Sequence, residues 1–391
     1  MKIVFLSSWY PSPPNNGSKL RIYNLLRGLS REHQVTLIAF SGRGPHEGQE
    51  DLRAVCTNAH VVPYRSYNSR SLRSITGLLS SKPRVLVDTY SLMMEHAIRQ
   101  ELDERVYDLV ITSEWPMTAY RTLWQGLPGI LEDVEVGGFA DTVQKAPTRR
   151  SRLRGALTSS KLGYYLRRTL PGFKATTVAS QLEQAHLQKI VPGYRRIEVI
   201  PNCVSLRDYT NVDAFPQKAT FVFAGSLSYS ANYEGMVWFL GDVFPLIREQ
   251  IPDARIIITG DHCNLPLPRM EGVTLVGLVD DVRPIVASSY ISLAPILSGA
   301  GTRLKILEAM ALRTPVVATS KGAEGLEARN QEHLLIADKP NEFADAVVSL
   351  CSDVPLRARL ADNGYQLIRE KYDWATVMPH FLQLLEDAAH A

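Results

Sequence analysis

One segment in the second half of the chain combines glycines, cations and a carboxylate at spacings that suit phosphate and sugar binding. Gly299 and Gly301 follow an apolar run, and glycines let a backbone approach a ligand closely. Arg303 and Lys305 come next, in the first turn of a predicted helix whose unpaired N–H groups and dipole attract phosphate. Glu308 lies one turn further on, and an ionised glutamate accepts hydroxyl hydrogen bonds from a sugar. The segment suits a nucleoside diphosphate sugar, with ribose at Glu308, although an ordinary surface helix with a Lys305–Glu308 pair also fits it.

Apolar runs alternate with helical patterns along the chain, and together they predict the strands and helices that would position this segment. Strands that are apolar throughout, separated by helices, indicate parallel sheets covered on both faces. Sheets of this kind bind ligands at the carboxyl ends of their strands. The predicted strands are 3–7, 34–40, 108–112, 129–132, 175–179, 220–224, 255–259, 273–276, 291–294, 316–319 and 333–336. The predicted helices are 19–29, 85–101, 232–250, 281–288, 302–313, 341–352, 356–371 and 374–389.

Length and composition narrow the class of protein. The chain has 391 residues, more than one compact core usually holds, and a break near Pro192–Gly193 suggests two domains. Apolar residues make up 45% and charged residues 21%, as in soluble globular proteins. A net charge of +3 gives no general attraction to nucleic acid, so no nucleic-acid partner is expected.

The spacing of the cysteines and the length of the apolar runs indicate the cellular compartment of the protein. The four cysteines are far apart and form no C-x-x-C, which disfavours disulfides and metal sites and favours a reducing compartment. The first apolar run is too short for a signal peptide, and no run is long enough to span a membrane. A cytoplasmic protein is therefore expected.

The sequence around Glu308 also resembles a known family. The chain reads Leu-Glu-Ala-Met-Ala at 307–311 and Thr-Pro-Val-Val at 314–317. Similar motifs mark the donor-site helix of the retaining GT-B glycosyltransferases of family 4, and the resemblance extends over nearly the whole chain. It implies an α/β GT-B fold, in which two Rossmann-like, doubly wound domains face each other across a cleft. The implied parts are an acceptor-side domain over 1–195, a nucleotide-sugar donor domain over 196–372, and a C-terminal helix over 373–391 that crosses back to the first domain.

The resemblance implies an activity and a set of site residues. The activity is transfer of a sugar from a nucleoside diphosphate sugar to an acceptor hydroxyl on a glycan, lipid-linked or polysaccharide precursor. Arg303 and Lys305 would stabilise the departing diphosphate. GT-B enzymes generally need no metal, so neither a metal nor a cofactor other than the donor is expected. The implied donor-binding residues are Gly17, Gly225, Leu278, Val279, Gly299, Gly301, Thr302, Arg303, Lys305 and Glu308.

The chain departs from the commoner family pattern in three places. Most members carry arginine after the glycine at 225 and lysine a few residues later, whereas this chain has Ser226 and, in the lysine region, Ala231-Asn232. Ala300 stands where a first glutamate is common. Arg303 and Lys305 are absent from the commoner motif and can supply the missing charge, since arginine pairs bidentately with phosphate and lysine acts as a point charge. A branch of the family with Gly-x-Gly-Thr-Arg-x-Lys looks similar.

Three features belong to the predicted first domain. The loop 8–18 is rich in proline and ends at Gly17, either as a plain turn or, as in the family, as a donor or acceptor contact. Glu114 follows a strand and is a candidate to orient or deprotonate the acceptor hydroxyl. A solvated loop glutamate or a helix-start carboxylate is the alternative. The acidic run 132–135 is interpreted as structural or acceptor-facing rather than as a metal site.

Residues 149–168 hold seven cations and no acidic residue, interleaved with leucine and tyrosine. A basic amphipathic segment can lie on an anionic membrane, so peripheral contact with the inner membrane face is one interpretation. A solvated helical arm is the other.

Two rival functions also stay open, a catalytically silent GT-B subunit and a nucleotide-sugar 2-epimerase.

Overall fold

The computed structural model describes residues 1–14, 16–41, 52–138, 148–299, 301 and 303–390. Within these residues the strands, β1 to β13 in chain order, are Lys2–Ser7, Gln34–Ser41, Asn58–Pro63, Leu109–Ser113, Gly129–Glu132, Ala175–Val178, Ile197–Val199, Gln217–Ala224, Arg255–Thr259, Val273–Gly277, Ser289–Ala294, Val316–Ala318 and Leu335–Ile336. The α-helices, α1 to α13, are Gly17–Leu29, Leu72–Thr76, Arg84–Thr89, Leu92–Glu104, Arg149–Thr169, Gln181–Ile190, Ser230–Trp238, Phe244–Gln250, Arg283–Ala287, Leu304–Ala311, Pro340–Ser352, Val354–Leu367 and Trp374–His390.

The strands form two sheets with the same type of strand order. The first sheet runs β3-β2-β1-β4-β5-β6-β7 and the second runs β10-β9-β8-β11-β12-β13. Adjacent strands pair in parallel in both sheets. In each sheet the order reverses beside the first strand, between β1 and β4 or between β8 and β11, which is the switch point where doubly wound sheets bind ligands. The predicted α/β class with two doubly wound sheets is confirmed.

Apolar residues on both faces of the central strands explain why helices cover each sheet. In β8, Phe221 and Phe223 pack into one core layer, whereas Val222 between them packs into the layer on the opposite face. The same holds in β11, where Leu293 and Ala294 enter different layers. Successive side chains of a strand point to opposite faces, so a continuous apolar run requires cover on both sides.

Several elements differ from the sequence prediction for local reasons. The predicted helix 85–101 is two helices, because Tyr90 is extended and the Ser91 hydroxyl caps α4 by accepting the Met94 N–H. The predicted helix 232–250 contains a π-helical turn at Phe239–Val243, next to Pro245, which has no N–H to donate. The prediction missed β3, which has only one fully buried position, and β7, which has three residues.

The chain forms two compact units, one of residues 1–202 and 378–391 and the other of residues 203–377. The predicted limits of 1–195, 196–372 and 373–391 leave β7 outside the first domain, whereas its backbone pairs with β6 of the first sheet. Helix α13 belongs to the second unit up to Val377 and to the first unit from Met378. Among the described residues, no helix is both long enough and apolar enough to cross a bilayer.

Candidate functional site

The candidate site in the second unit lies at the switch point of its sheet, where the loops after β8 and β11 come together. Gly225 directly follows β8, and a Cβ at this position would lie 2.8 Å from Lys305 Nζ and 2.9 Å from Asn232 Nδ2. Gly260, after β9, has a φ of 94°, and its Cβ would lie 2.6 Å from the carbonyl carbon of Gly225. Backbone atoms therefore exclude a side chain at Gly260, whereas a side chain at Gly225 would displace Lys305 and Asn232.

Lys305 extends from helix α10 to the end of β8. Its amine donates a hydrogen bond to Asn232 Oδ1 at 2.9 Å and lies 3.8 Å from the centroid of the Phe223 ring. Asn232 is fixed in turn, because its Nδ2 donates to the Ser226 carbonyl at 2.7 Å. Burial lowers the pKa of Lys305 to about 7, with a further lowering by the charge of Arg303. A nearby anion would therefore stabilise the protonated form of Lys305.

The glycine loop before α10 holds Arg303 in place. Gly299 and Gly301 both have a φ of 87°, in the left-handed region that favours glycine. A Cβ on Gly299 would also come within 2.4 Å of the Tyr229 hydroxyl. Arg303 is the N-cap residue of α10, is 8% exposed, and donates from Nη2 to the Ser298 carbonyl at 3.2 Å. Thr302, predicted to bind donor, and Ala300 lie outside the described residues.

Glu308 lies on α10, one turn beyond Lys305, and has a partner that the sequence did not indicate. The hydroxyl of Tyr209 donates to its Oε1 at 3.0 Å. Burial raises the pKa of Glu308, while the hydrogen bond from Tyr209 and the charge of Lys305 oppose that rise. Within the described part of the chain no protein group donates to Oε2, so this oxygen is available to a ligand hydroxyl. Tyr209 ends a short 3₁₀ turn, Leu206–Tyr209, that precedes β8.

Leu278 and Val279 follow β10, which is an edge strand of the second sheet. Leu278 is exposed and Val279 is partly buried. Just after them, the Asp281 carboxylate accepts the backbone N–H of Arg283 at 2.9 Å and its Nε at 2.8 Å, at the first residue of α9. Asp281 therefore satisfies the first N–H group of α9, whose N-cap residue Val282 makes no side-chain capping bond.

The switch point of the first sheet holds Glu114 directly after β4. Its backbone has a φ of 67°, and its Oε1 accepts a hydrogen bond from Trp9 Nε1 at 2.9 Å. Burial, with the nearby charge of Asp133, raises the pKa of Glu114 to about 7. A carboxyl group with this pKa can exchange a proton near neutral pH.

The acidic run after β5 is paired with a cation that lies far away in the sequence. Arg21 of α1 donates from Nε to Glu132 Oε1 at 2.5 Å, and Asp133 lies 3.7 Å from the same nitrogen. Ser113 Oγ also donates to Glu132, at 3.0 Å. These contacts support the structural interpretation, and the residues that the structure describes include no cluster of three metal-binding side chains.

Gly17 is the first residue of α1 and is exposed. Asn16, which occupies the position of a second family glycine, caps the helix by accepting the Lys19 N–H at 3.0 Å. The structure thus brings together Gly225, Gly299, Arg303, Lys305 and Glu308 in one unit. Gly17 and Glu114 belong to the other unit. Sequence reasoning named Asn232 only as a substitution and missed Tyr209, since neither carries a motif of its own.

Comparison with protein families gives two adjacent matches. The model described as Glycosyltransferase Family 4 matches residues 15–208, and the model described as Glycosyl transferases group 1 matches residues 218–353. Together they cover most of the chain and meet close to the division between the two units.

Known proteins are similar over part or all of the chain. The phosphatidyl-myo-inositol mannosyltransferase of Mycobacterium leprae is 30% identical over 203 residues, which is 49% of this chain and 53% of the relative. The chain spans about half the length of the curated relatives it matches. The structure of sucrose-phosphate synthase from Thermosynechococcus elongatus has a TM-score of 0.71 at 17% identity and covers 99% of this chain and 98% of its own. The Anabaena Alr3699/HepE structure with UDP-glucose has a TM-score of 0.63 at 16% identity and covers 99% of both chains.

Proposed function

Because this chain belongs to glycosyltransferase family 4 and has the GT-B fold, we propose that it is a retaining glycosyltransferase. It moves a sugar from a nucleoside diphosphate sugar to an acceptor hydroxyl. The observation that supports this most strongly is the position of the Lys305 amine, between Gly225 and Asn232 at the switch point of the second sheet. Retention of the anomeric configuration is proposed from family membership.

The donor diphosphate binds at the start of α10. Gly299 and Gly301 let the loop backbone approach it, and the first N–H groups of the helix face it. Arg303 and Lys305 then neutralise its charge, which grows as the bond to the sugar breaks. The cation that the family commonly places near Asn232 is replaced by Lys305, whose amine reaches Asn232 from the other side of the switch point.

The ribose binds at Glu308. Tyr209 occupies Oε1 and fixes the carboxylate, while Oε2 accepts a ribose hydroxyl. The backbone of the loop at Leu278 and Val279 borders the base. UDP is the first nucleotide to test, since it is the donor nucleotide in the Anabaena structure.

The acceptor is a glycan or a lipid-linked glycan, and Glu114 is its proposed contact in the first unit. A carboxyl with a pKa of about 7 is half ionised at neutral pH and can take the hydroxyl proton as the new bond forms. The basic helix α5 is the proposed contact with an anionic membrane. We propose a cytoplasmic location at the membrane face, because the four cysteines are far apart in the sequence and form no C-x-x-C motif, which favours a reducing compartment.

The proposal is tested by screening UDP-, GDP-, ADP- and TDP-sugars for thermal stabilisation, because a ligand that binds the folded state raises apparent stability. The best donor is then incubated with acceptor pools, and the anomeric proton of the product is read by NMR. A product that keeps the donor configuration supports the proposal. Inverted product contradicts retention, and binding without turnover identifies a silent subunit. A 2-epimer formed without acceptor identifies an epimerase.

A further inference from the structure

The second unit has a cavity of about 540 Å³ at the edge of its sheet opposite the candidate donor site. Its wall includes Pro216, which precedes β8, Ser289, which begins β11, and Pro315, which precedes β12. These residues mark the amino ends of three parallel strands, whereas the glycine loops of the donor site follow the carboxyl ends. Strand β11 has six residues, so at about 3.3 Å per residue roughly 16 Å separate the two edges. The cavity is therefore distinct from the donor site.

Helix α12 forms one wall of this cavity. Arg357, Ala361 and Tyr365 line it, and their spacing of four residues places them on one face of the helix. The aliphatic side chains of the wall are Val212, Ala214, Ala287, Ala311, Leu312, Val354 and Ala358. Small-molecule sites usually have volumes of about 300–1,000 Å³ and a mostly apolar lining with a few polar groups. The cavity thus has the size and the lining of a site for a small molecule.

Arg357 supplies a cation to the cavity. Its guanidinium carbon lies 3.8 Å from the centroid of the Tyr290 ring, and its Nη1 donates to the Leu350 carbonyl at 2.8 Å. Among the described residues, none accepts a hydrogen bond from Nε or Nη2 of Arg357, and none that lines the cavity is acidic. These two nitrogens form one edge of a planar fork, which matches two oxygens of a phosphate or carboxylate.

A second arginine of the cavity already has an acidic partner. Arg313 lies 4.0 Å from the centroid of the Tyr365 ring and forms an ion pair with Asp362. It also follows the C-terminal end of α10, where the helix dipole disfavours an anion. The anionic group of a ligand is therefore expected at Arg357.

We propose that this cavity binds a small phosphate monoester with a planar or apolar body. The phosphate pairs with Nε and Nη2 of Arg357, and the body covers the aliphatic wall beside Ala361. A monoester carries nearly two negative charges at neutral pH, whereas a carboxylate carries one. Inorganic phosphate has the charge but leaves the aliphatic wall exposed to water.

Tyr209 connects the cavity to the candidate donor site. It lines the cavity, while its hydroxyl donates to Glu308 Oε1 at 3.0 Å. A ligand packed beside Tyr209 restricts that side chain, so the donor has less ordering left to impose when it binds. Bound monoester should therefore strengthen donor binding by about fivefold, at the low end of usual couplings between sites. This consequence rests on the proposed function, whereas the site itself does not.

The test is calorimetric titration of the full chain with phenyl phosphate, with inorganic phosphate and phenol as probes that lack the body or the charge. Wild type should bind phenyl phosphate at least about tenfold more tightly than either, since both parts contribute. The titration is repeated with the best donor of the thermal screen at saturation, and binding should persist because the sites are separate. Lys305→Met should bind phenyl phosphate as wild type does.

Two variants remove different parts of the site. Arg357→Gln should weaken binding of phenyl phosphate by about tenfold to a hundredfold, the range for a hydrogen bond between charged groups. The matched control is Arg359→Gln, at an exposed arginine of the same helix that lies outside the cavity wall. Ala361→Met fills the cavity and keeps Arg357 and a good helix former, and it should weaken binding about as much. Thermal unfolding of each variant checks that the fold is kept.

The coupling is measured by titrating the donor with and without saturating phenyl phosphate. Tyr209→Phe should abolish the change in donor affinity, because it removes the hydrogen bond to Glu308. Unchanged donor affinity in wild type would overturn the coupling.

Three results would overturn the site. They are wild type that does not bind phenyl phosphate at millimolar concentration, displacement of phenyl phosphate by the donor, and Arg357→Gln that binds like wild type. Displacement would place the probe in the donor site. A chain that binds phenyl phosphate through Arg357 but is stabilised by no nucleotide sugar would support the site and contradict the transferase assignment, so the two failures are distinguishable.

Discussion

The two sheets share one type of strand order but present side chains of opposite charge at their switch points. In the second unit Arg303 and Lys305 adjoin the glycine loops, whereas in the first unit Glu114 and Asp133 follow β4 and β5. Burial lowers the pKa of Lys305 and raises that of Glu114, each to about 7. These opposite charges fit the proposed roles, in which the site of the second unit binds the donor diphosphate and Glu114 accepts the hydroxyl proton of the acceptor.

The two switch points also differ in the partners that the protein supplies to their buried charged side chains. The Lys305 amine contacts the neutral Asn232 amide and the Phe223 ring, and the charge of Glu308 acts on it without a hydrogen bond. Glu132, by contrast, is hydrogen-bonded to Arg21 and Ser113 inside the first unit, although burial raises its pKa as well. A charge left partly unmet gains most from a ligand of opposite sign. We therefore expect Lys305 to contribute to ligand binding and the Arg21–Glu132 pair to contribute to the stability of the fold.

The largest loss of activity is expected when Lys305 is replaced. Lys305→Met keeps the volume of the side chain but removes the charge that meets the departing diphosphate, so turnover should fall by about 10²–10³-fold. Binding of the nucleoside monophosphate should change little, because the lost interaction grows at the transition state. Steady-state kinetics measures the turnover and calorimetry measures the binding of the monophosphate. Lys339→Ala is the control at an exposed lysine. Wild-type turnover in the variant would mean that another group neutralises the donor.

Glu308→Gln should weaken donor binding by about tenfold to a hundredfold, the range for losing a hydrogen bond to a charged group. The fold should survive, since the amide still accepts from Tyr209. Calorimetric titration with the preferred donor measures the change, and Glu332→Gln, at an exposed glutamate, is the matched control. Equal affinities in wild type and Glu308→Gln would remove the ribose assignment.

Glu114→Gln should lower kcat by about tenfold or more, because general base catalysis is lost. The ionised form of Glu114 is the active one, so the wild-type kcat, measured at saturating donor, should rise with pH through about 7 on its acidic limb. The variant should lack that limb. A pH profile that keeps the limb after the substitution would assign it to another group.

The smallest effect is expected from metal removal. Activity should stay within about twofold of its starting value in excess EDTA, because helix N–H groups and the two cations of the glycine loop can replace a metal at the diphosphate. Initial rates with and without the chelator measure this. A complete loss that Mg²⁺ restores would show that a metal takes part.

The sequence predicted those parts of the site that depend on local patterns. The glycine loop and α10 were predicted because glycines, cations and glutamate occur within ten residues. The partners that fix these side chains lie 73 residues away for Asn232 and 99 residues away for Tyr209, and Arg21 reaches across 111 residues to Glu132. Contacts of that span depend on how the strands order in the sheet, and no local periodicity encodes them. Strands β3 and β7 were missed for a similar reason, since sheet pairing holds them rather than a long apolar run.

The most direct test of the account is the proton linkage of donor binding at Lys305. The ligand is the nucleotide sugar itself, whose esterified diphosphate does not titrate between pH 6 and 8. Lys305 is mostly protonated at pH 6 and mostly neutral at pH 8 in the free protein, so wild type should bind the donor about tenfold more weakly at pH 8. Calorimetry in two buffers of different ionisation enthalpy should also show uptake of nearly one proton at pH 8, and Lys305→Met should show neither effect. Equal pH dependence in wild type and variant would contradict the assignment of Lys305 to the donor diphosphate.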